Sequence, residues 1–235
     1  LYGEPDLPRL IQQTDYLRYS TTSGTNAIVE RKGTATGLLV QSGEEKSLYG
    51  AADSYAKSDL WRIMVPNNAA AVPRANGELD TKALVSVVNE MLSTGVSRLV
   101  VALPSAEDEQ LIKEALLESY PRHLLGAVPF LVSHELSTDQ DDARRMFTAI
   151  VNSFLHPGME RFLYGAESVC KSHFLQRPLL IFRNDGDSAR VAKTTAIKTW
   201  GSGPRGGLEG AAAYAAHYGL KTVVSMDIGG TTTDI

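Results

Sequence analysis

Three features of the 235-residue sequence predict an α/β fold with parallel or mixed sheets flanked by helices. From Asp80 to Ser133, apolar residues alternate between helical spacing and short continuous runs. That rhythm of helix, strand, helix and strand builds a parallel sheet through right-handed crossovers. Near the N-terminus a short strand, Leu17–Ser20, feeds the hydroxyl-rich loop Thr21-Thr-Ser-Gly-Thr25 and then a helix. Near the C-terminus a glycine-rich turn, an alanine-rich helix and an apolar strand lead into Asp227-Ile-Gly-Gly-Thr-Thr-Thr233.

Bulk properties exclude several function classes. A formal charge of −4 with 21% charged residues leaves no basic face for nucleic acid. No apolar run approaches the ~20 residues of a membrane span. The start, Leu1-Tyr-Gly-Glu-Pro-Asp6, shows neither the basic nor the apolar region of a signal peptide. Cys170 is the single cysteine, so no disulfide forms within the chain, which fits a reducing cytoplasm.

In chain order, residues 1–16 read as an extended lead-in or frayed helix with Pro5 and Pro8. The helix after Thr25 is predicted over Asn26–Lys32, ending at Gly33, with a strand at Gly37–Gln41. Strand, hydroxyl loop and helix start form an arrangement friendly to anions, because first-turn N–H groups are unpaired and the dipole is positive there. Plain N-capping by Ser and Thr is the alternative. Residues 42–78 are the least periodic, and Asn67–Gly77 reads as a loop with turn signals at both ends. Trp61 and Arg62 could line a pocket, though a Trp on a core edge is the simpler role.

From Asp80 the pattern sharpens. Leu84, Val87, Val88, Met91 and Leu92 share one helix face, and Gly95 stops the helix. Arg98–Leu103 reads as a buried strand. Ser105 opens the helix Glu107–Glu118 as a capping residue, with Leu111, Ile112, Ala115 and Leu116 inward. Val128–Ser133 is the next strand. Thr138–Leu155 is a helix with Met146, Phe147, Ile150, Val151 and Phe154 buried; Asp139, Asp141 and Asp142 complement its dipole better than they suit a metal. Pro157-Gly158 predicts a kink or a second helix, Met159–Phe174, with Phe162, Leu163, Ala166 and Val169 inward. Cys170 lies on that apolar face as a packed thiol rather than a nucleophile.

Phe182-Arg-Asn-Asp-Gly-Asp187 closes another strand. Gly201-Ser-Gly-Pro-Arg-Gly-Gly207 then opens a helix, Leu208–Tyr218, stopped by Gly219. Thr222, Val223 and Val224 are β-branched and predict a buried strand running into the tail. There Gly229 and Gly230 let bare N–H groups approach an anion, Thr231 and Thr232 add hydroxyl donors, and Asp227 at the strand end suits a magnesium ion. No P-loop lysine motif is present. A Gly-Gly hairpin turn is the plain alternative for the tail. The five histidines are scattered without zinc-ligand spacing, and no G-x-S-x-G elbow occurs.

The segments Ser20-Thr-Thr-Ser-Gly-Thr-Asn-Ala27, Asn152-Ser-Phe-Leu-His-Pro-Gly-Met-Glu-Arg-Phe-Leu163, Ser202-Gly-Pro-Arg-Gly-Gly-Leu-Glu-Gly-Ala-Ala212 and Asp227–Asp234 together resemble the ATP-dependent hydantoinase/5-oxoprolinase family. This is the N-methylhydantoinase A type, whose relatives include acetone- and acetophenone-carboxylase subunits. The family belongs with the actin, sugar-kinase and Hsp70-like ATPases. The resemblance implies an actin-like, ribonuclease H-like fragment, with residues 1–134 from the N-terminal lobe and 135–235 as linking helices and the start of the second ATPase lobe. It implies ATP and Mg2+, and a small cyclic amide opened after phosphorylation of its amide oxygen. It further implies a partner subunit of the hydantoinase B type, an oligomeric full-length protein and a cytoplasmic location. Thr21, Thr22, Asn26, Gly203, Gly206, Gly207 and Asp185 are expected at the nucleotide or substrate cleft with Gly229–Thr232. Two departures stand out. Leu103-Pro-Ser105 lacks the family's histidine, and Asp187 replaces the second glycine of its Asn/Ser-Asp-Gly-Gly turn. Because the chain stops where the phosphate hairpin begins and shows no Asp-x-Gly-Gly-Thr loop near its start, it is expected to be an internal piece without independent activity. A carboxylase subunit, a non-catalytic nucleotide-binding subunit and a sugar-kinase-like enzyme remain as alternatives.

Overall fold

The computed structural model describes residues 6–51, 63–64, 68–228 and 233–234. The chain divides into two compact units, one of Leu1–Val29 with Gly158–Ile235 and a second of Glu30–Pro157.

The first unit begins with α1 (Leu7–Gln13), β1 (Arg18–Tyr19) and α2 (Ser23–Val29). In the second unit, β2 (Thr36–Val40), β3 (Ala69–Ala71), β6 (Arg98–Val101) and β7 (Phe130–Val132) form a parallel sheet in the order β3-β2-β6-β7. All five residues of β2 are buried, as expected of a central parallel strand covered on both faces. Strand β3 lies in the segment read as a loop. Its three alanines carry little strand preference of their own, and the ladder to Leu38–Val40 imposes the extended form. A hairpin follows, β4 (Arg74–Ala75) and β5 (Glu78–Leu79), turned by Asn76 and Gly77, both at positive φ.

Helices α3 (Thr81–Ser93) and α4 (Ala106–Ser119) match their predicted patterns. The Asp80 carboxylate caps α3 by accepting from the Ala83 N–H at 3.0 Å, and Ser105 Oγ caps α4 by accepting from Asp108 N–H at 3.2 Å. Leu39, Leu84, Val88, Leu99, Val101, Ile112 and Leu116 share the core. Leu111, predicted inward, is exposed, and Glu109 takes the buried position.

Helix α5 (Asp142–Ser172) continues through Pro157. Proline removes a single donor and its fixed φ suits a helix, so the packed turns on either side carry it through. Met146, Ile150, Val151 and Phe154 are buried as predicted. A Cβ on Gly33 would lie 2.3 Å from the Phe154 ring, so only glycine lets the chain pass there. Asp141 Oδ1 accepts from Arg144 N–H, and Asp139 accepts from Asp141 N–H and the Arg144 guanidinium. The acids therefore cap the helix start.

In the first unit, Met159 and Leu163 of α5 are buried, but Phe162 and Val169, predicted inward, are exposed. Phe162 stacks on Tyr19 with centroids 6.1 Å apart. Burial pushes the Cys170 thiol up, against thiolate formation. Strands β8 (Leu180–Phe182) and β9 (Ser188–Arg190) form an antiparallel pair, and β1 adds to β8 in parallel with Arg18 opposite Leu180. The helix α6 spans Ser202–Tyr218 and ends at Gly219. It starts six residues before the predicted Leu208, because Pro204 and the glycines occupy its first turns, where Pro's missing N–H costs no bond. Strands β10 (Asp227–Ile228) and β11 (Thr233–Asp234) pair antiparallel. Thr222–Val224, predicted as a buried strand, has no strand pairing and is exposed. A β-branched run forms a strand only where a neighbour supplies a ladder, and none of the described residues does so here.

Candidate functional site

In the first unit, two helix starts that are far apart in sequence come together. Pairing of β1 with β8 delivers Thr21 and Thr22 to the end of the sheet. The hydroxyl of buried Thr21 accepts from Ser23 N–H at 3.0 Å, and the Thr22 carbonyl accepts from Asn26 N–H at 2.8 Å. These bonds start α2 at Ser23, three residues earlier than predicted. Opposite lies the start of α6, introduced by Gly201 at φ +69°, a left-handed conformation that disfavours any side chain. Ser202, fully buried, donates from Oγ to the Thr21 carbonyl at 3.4 Å. A Cβ on Gly203 would lie 3.7 Å from the Thr22 methyl, and one on Gly24 would lie 3.1 Å from Thr199 Oγ1. Small residues on both partners permit this approach. Two positive dipole ends therefore meet in one region.

The Asn184-Asp-Gly-Asp187 turn anchors the segment leading into α6. Asn184 Nδ2 donates to the carbonyls of Ile197 (3.0 Å) and Trp200 (2.9 Å), and Asn184 N–H donates to the Lys198 carbonyl. Asp185 accepts from Asp187 N–H, and its carboxylate lies 3.0 Å from Lys198 Nζ and 3.2 Å from Arg183 Nη2. Burial opposes ionisation of Asp185 most, but Lys198, the Asp187 N–H and Arg183 together hold its carboxyl below the usual value. Gly186 is the residue at positive φ in this turn; Asp187 is not, so the departure from Gly-Gly brings no backbone strain.

Of the predicted site residues, the structure thus brings Thr21, Thr22 and Gly203 together, and ties Asp185 to the same helix start through residues 196–201. Asn26 is half-buried one turn into α2. Gly206 packs against Phe182, and Gly207 is exposed with open space around it. The backbone of Asp227 pairs with Asp234. Gly229, Gly230, Thr231 and Thr232 lie outside the described residues, as do Trp61 and Arg62, and so does the side chain of Asp227. Among the described residues, no group of three His, Cys, Asp or Glu side chains could hold a metal. Sequence reasoning missed Gly24, Thr199 and Ser202; a small residue at each of two distant positions is their only signal.

A buried charge network in the second unit was also missed. Glu109 is 1% exposed and accepts from Leu103 N–H (2.9 Å), Ser133 Oγ (2.6 Å) and His134 N–H (2.9 Å). His134 Nδ1 lies 3.1 Å away, outside hydrogen-bond geometry. Arg145, 3% exposed, donates to Ser133 Oγ, to the carbonyls of Asp139 and Leu103, and to Asp142. The network knits the C-terminal ends of β6 and β7 to the start of α5.

The hydantoinase/oxoprolinase N-terminal region model matches residues 6–119, and the hydantoinase/oxoprolinase model matches residues 145–235. The chain belongs to the hydantoinase/oxoprolinase family. The acetophenone carboxylase gamma subunit of Aromatoleum aromaticum is 27% identical over 96% of this chain and 34% of that protein. Caprolactamase subunit alpha of Pseudomonas jessenii is 24% identical over 96% of this chain and 35% of that protein. Among solved structures, nucleotide-free acetone carboxylase superposes with a TM-score of 0.80 at 20% identity, covering 97% of this chain and 36% of that one. The likeness is one of fold, an actin-like ATPase-type α/β architecture. This member of the family spans about a third of the length of each of these relatives. Among its described residues, no helix is long and apolar enough to cross a membrane.

Proposed function

We propose that this chain is part of an ATP-dependent enzyme that opens cyclic amides of the hydantoin or 5-oxoproline kind. The observation that carries the reading is the meeting of two helix starts at Thr21–Ser23 and Gly201–Gly203, a place of two positive dipole ends suited to a polyphosphate. Asp185, already held by two cations, keeps the approach to α6 in shape rather than meeting the nucleotide. Gly229–Thr232 would complete the phosphate grip. Asp227 would hold magnesium, whose charge neutralises the transferring phosphoryl group. The functional division, with a lobe remainder before residue 134 and linking helices with the start of a second lobe after it, belongs to the same proposal.

A five-membered cyclic amide is stabilised by resonance. Transfer of the γ-phosphoryl group to its oxygen, with loss of ADP, leaves an electrophilic carbon. Water then adds there and the ring C–N bond breaks to give an amine and an acyl phosphate, from which a second water releases phosphate and leaves the carboxylate. The protein's share is to position the groups and neutralise charge. A carboxylase reading has support of its own, in the 27% identity to the acetophenone carboxylase gamma subunit. Bicarbonate or an enolate would then accept the phosphoryl group at the same loops. A partner subunit of the hydantoinase B type and an oligomeric cytoplasmic assembly complete the proposal; the names of two relatives mark them as subunits.

The test is ATP hydrolysis by the full-length protein with 5-oxoproline or hydantoin, and in parallel with acetophenone plus bicarbonate. Stimulation by the amides supports the hydrolase, stimulation by ketone and bicarbonate the carboxylase, and a stable phosphorylated sugar would instead mark a kinase. Asp227→Ala is expected to abolish turnover while leaving folding intact; retained turnover would remove the magnesium role.

A further inference from the structure

The far end of the first unit's sheet carries a cleft with a charge of its own. Strands β1 and β8 run parallel, so Thr21 and Thr22 follow one end of the sheet while Tyr16 and Pro178 precede the other. Strand β9 runs antiparallel to β8 and brings Arg190 to that other end, opposite Leu180. A cleft of about 410 Å³ opens there, within the range of small-molecule sites. Lys171 in the last turn of α5, Arg177 before β8 and Arg190 at the end of β9 line it. Leu175, Pro178 and the buried Leu179 form its apolar wall.

The lining is cationic in excess. Glu167 is its one carboxylate, and it is committed to Lys171 Nζ at 2.9 Å. Three cations against one carboxylate leave two positive charges in the cleft of a chain whose formal charge is −4. Arg190 has no side-chain partner among the described residues. The Arg177 guanidinium lies 4.4 Å over the Tyr16 ring centroid and donates from Nη1 to Tyr16 Oη. Stacking fixes the plane of that guanidinium and leaves its other N–H groups for a ligand. The last carbonyls of α5, which would repel an anion, are already taken. Leu175 N–H donates to the Cys170 carbonyl at 3.0 Å and Phe174 N–H to the Lys171 carbonyl at 2.9 Å. Phe174 closes this helix end from φ +61°, where glycine is usual, so the turn leading into the cleft carries backbone strain.

The charges narrow the ligand. Each guanidinium fork binds two oxygens in its plane, so two forks and an ammonium suit a compact oxyanion of double charge. A monocarboxylate brings one charge and two oxygens, whereas a phosphate monoester brings nearly two charges and three oxygens. The apolar wall favours an organic group on that phosphate over the bare ion. We infer that this cleft binds a small organic phosphate monoester, its phosphoryl group gripped by Arg177 and Arg190 with Lys171 as the outer charge. The site lies at the opposite end of the sheet from the two helix starts, and it does not depend on the cyclic-amide reading.

The test uses phenyl phosphate as probe on the full-length protein at low ionic strength, where exposed cations are least screened. Amide hydrogen exchange reads the place, with protection expected at Leu175, Leu179 and Arg190. Calorimetry reads the affinity. Arg190→Gln is the clean variant, because its side chain has no partner to lose, and it is expected to weaken binding about tenfold or more. Arg177→Lys keeps the charge without the fork and is expected to weaken binding by a smaller factor. Glu167→Gln removes the opposing carboxylate and is expected to tighten binding roughly two- to fivefold, a gain that loss of structure does not produce. Protection confined to Ser23 and Arg205 at the helix starts, or no protection at millimolar probe, would overturn the inference. So would unchanged affinity in Arg190→Gln, weaker binding in Glu167→Gln, or benzoate or inorganic phosphate binding as tightly as phenyl phosphate. A polyglutamate peptide that outcompetes the probe would overturn it too, in favour of an acidic protein partner.

Discussion

The substitution Glu109→Gln tests how the edge of the parallel sheet is held. The carboxylate accepts from Leu103 N–H and Ser133 Oγ through Oε1 and from His134 N–H through Oε2, at 1% exposure. Glutamine keeps a single acceptor oxygen. In its better orientation that oxygen retains Leu103 and Ser133, and the new NH2 faces the His134 N–H donor to donor. One hydrogen bond to a charged group is lost, at about 1.5–3 kcal/mol, and a buried donor is left unmade, at about 1–3 kcal/mol. Arg145, which shares Ser133 Oγ, also loses its nearby counter-charge. The expected cost is about 3–5 kcal/mol, the range for breaking a buried charge network. At about 2–4 °C per kcal/mol for a chain of this size, melting falls by roughly 10 °C. Because two compact units need not unfold together, amide hydrogen exchange at Leu103 and His134 is the sharper assay. Leu111→Ala, a little over half a turn away on the same helix at an exposed position, should stay within about 0.5 kcal/mol of wild type. Exchange at Leu103 and His134 as slow as in wild type, or a Leu111 variant as damaging as the Glu109 one, would refute the reasoning.

Two further outcomes follow from single positions. Gly201→Ala places a Cβ at φ +69° and should cost about 1–2 kcal/mol, read as faster exchange of the Arg205 amide that bonds to the Gly201 carbonyl. The Arg144 guanidinium, first by hydrogen bonding and with help from the Asp141 N–H, lowers the Asp139 carboxyl to about 2 from 3.8. A depressed carboxyl pKa contributes stability that is fully present above 3.8 and lost as pH falls through about 2. An NMR titration should therefore show a midpoint near 2 in wild type and a return toward 3.8 in Arg144→Met.

Elements with local signals were legible in the sequence. Helices α3 and α4 announce themselves by apolar spacing and by Asp80, Ser105 and Gly95, each acting within three residues of its own position. What periodicity misplaced lies at the margins of a stripe: Leu111, Phe162 and Val169 fall on the predicted inward face yet are exposed. A helical stripe is only about 100° wide, and which edge of it is covered depends on the neighbouring element. Glu109 was invisible for a related reason, since a carboxylate in the buried arc is tolerated only when donors from Leu103, Ser133 and His134 converge on it.

The convergent helix starts show where local reading stops. Thr21 and Thr22 by themselves cap a helix, and Gly201-Ser-Gly203 by itself introduces another; each has a sufficient local explanation. They become one place because Arg18 pairs with Leu180 and Tyr19 with Ile181, a register set across about 160 residues. Once that ladder forms, bulk at Gly24 or Gly203 would hold the two helix starts apart, so the small residues record a contact rather than a turn. The same holds at Gly33, where the Phe154 ring occupies the space of a Cβ. Glycine in this chain is therefore read correctly only with its partner in view. That separates Gly203, which faces Thr22, from Gly207, which faces open space and sits in α6 without a contact that requires it.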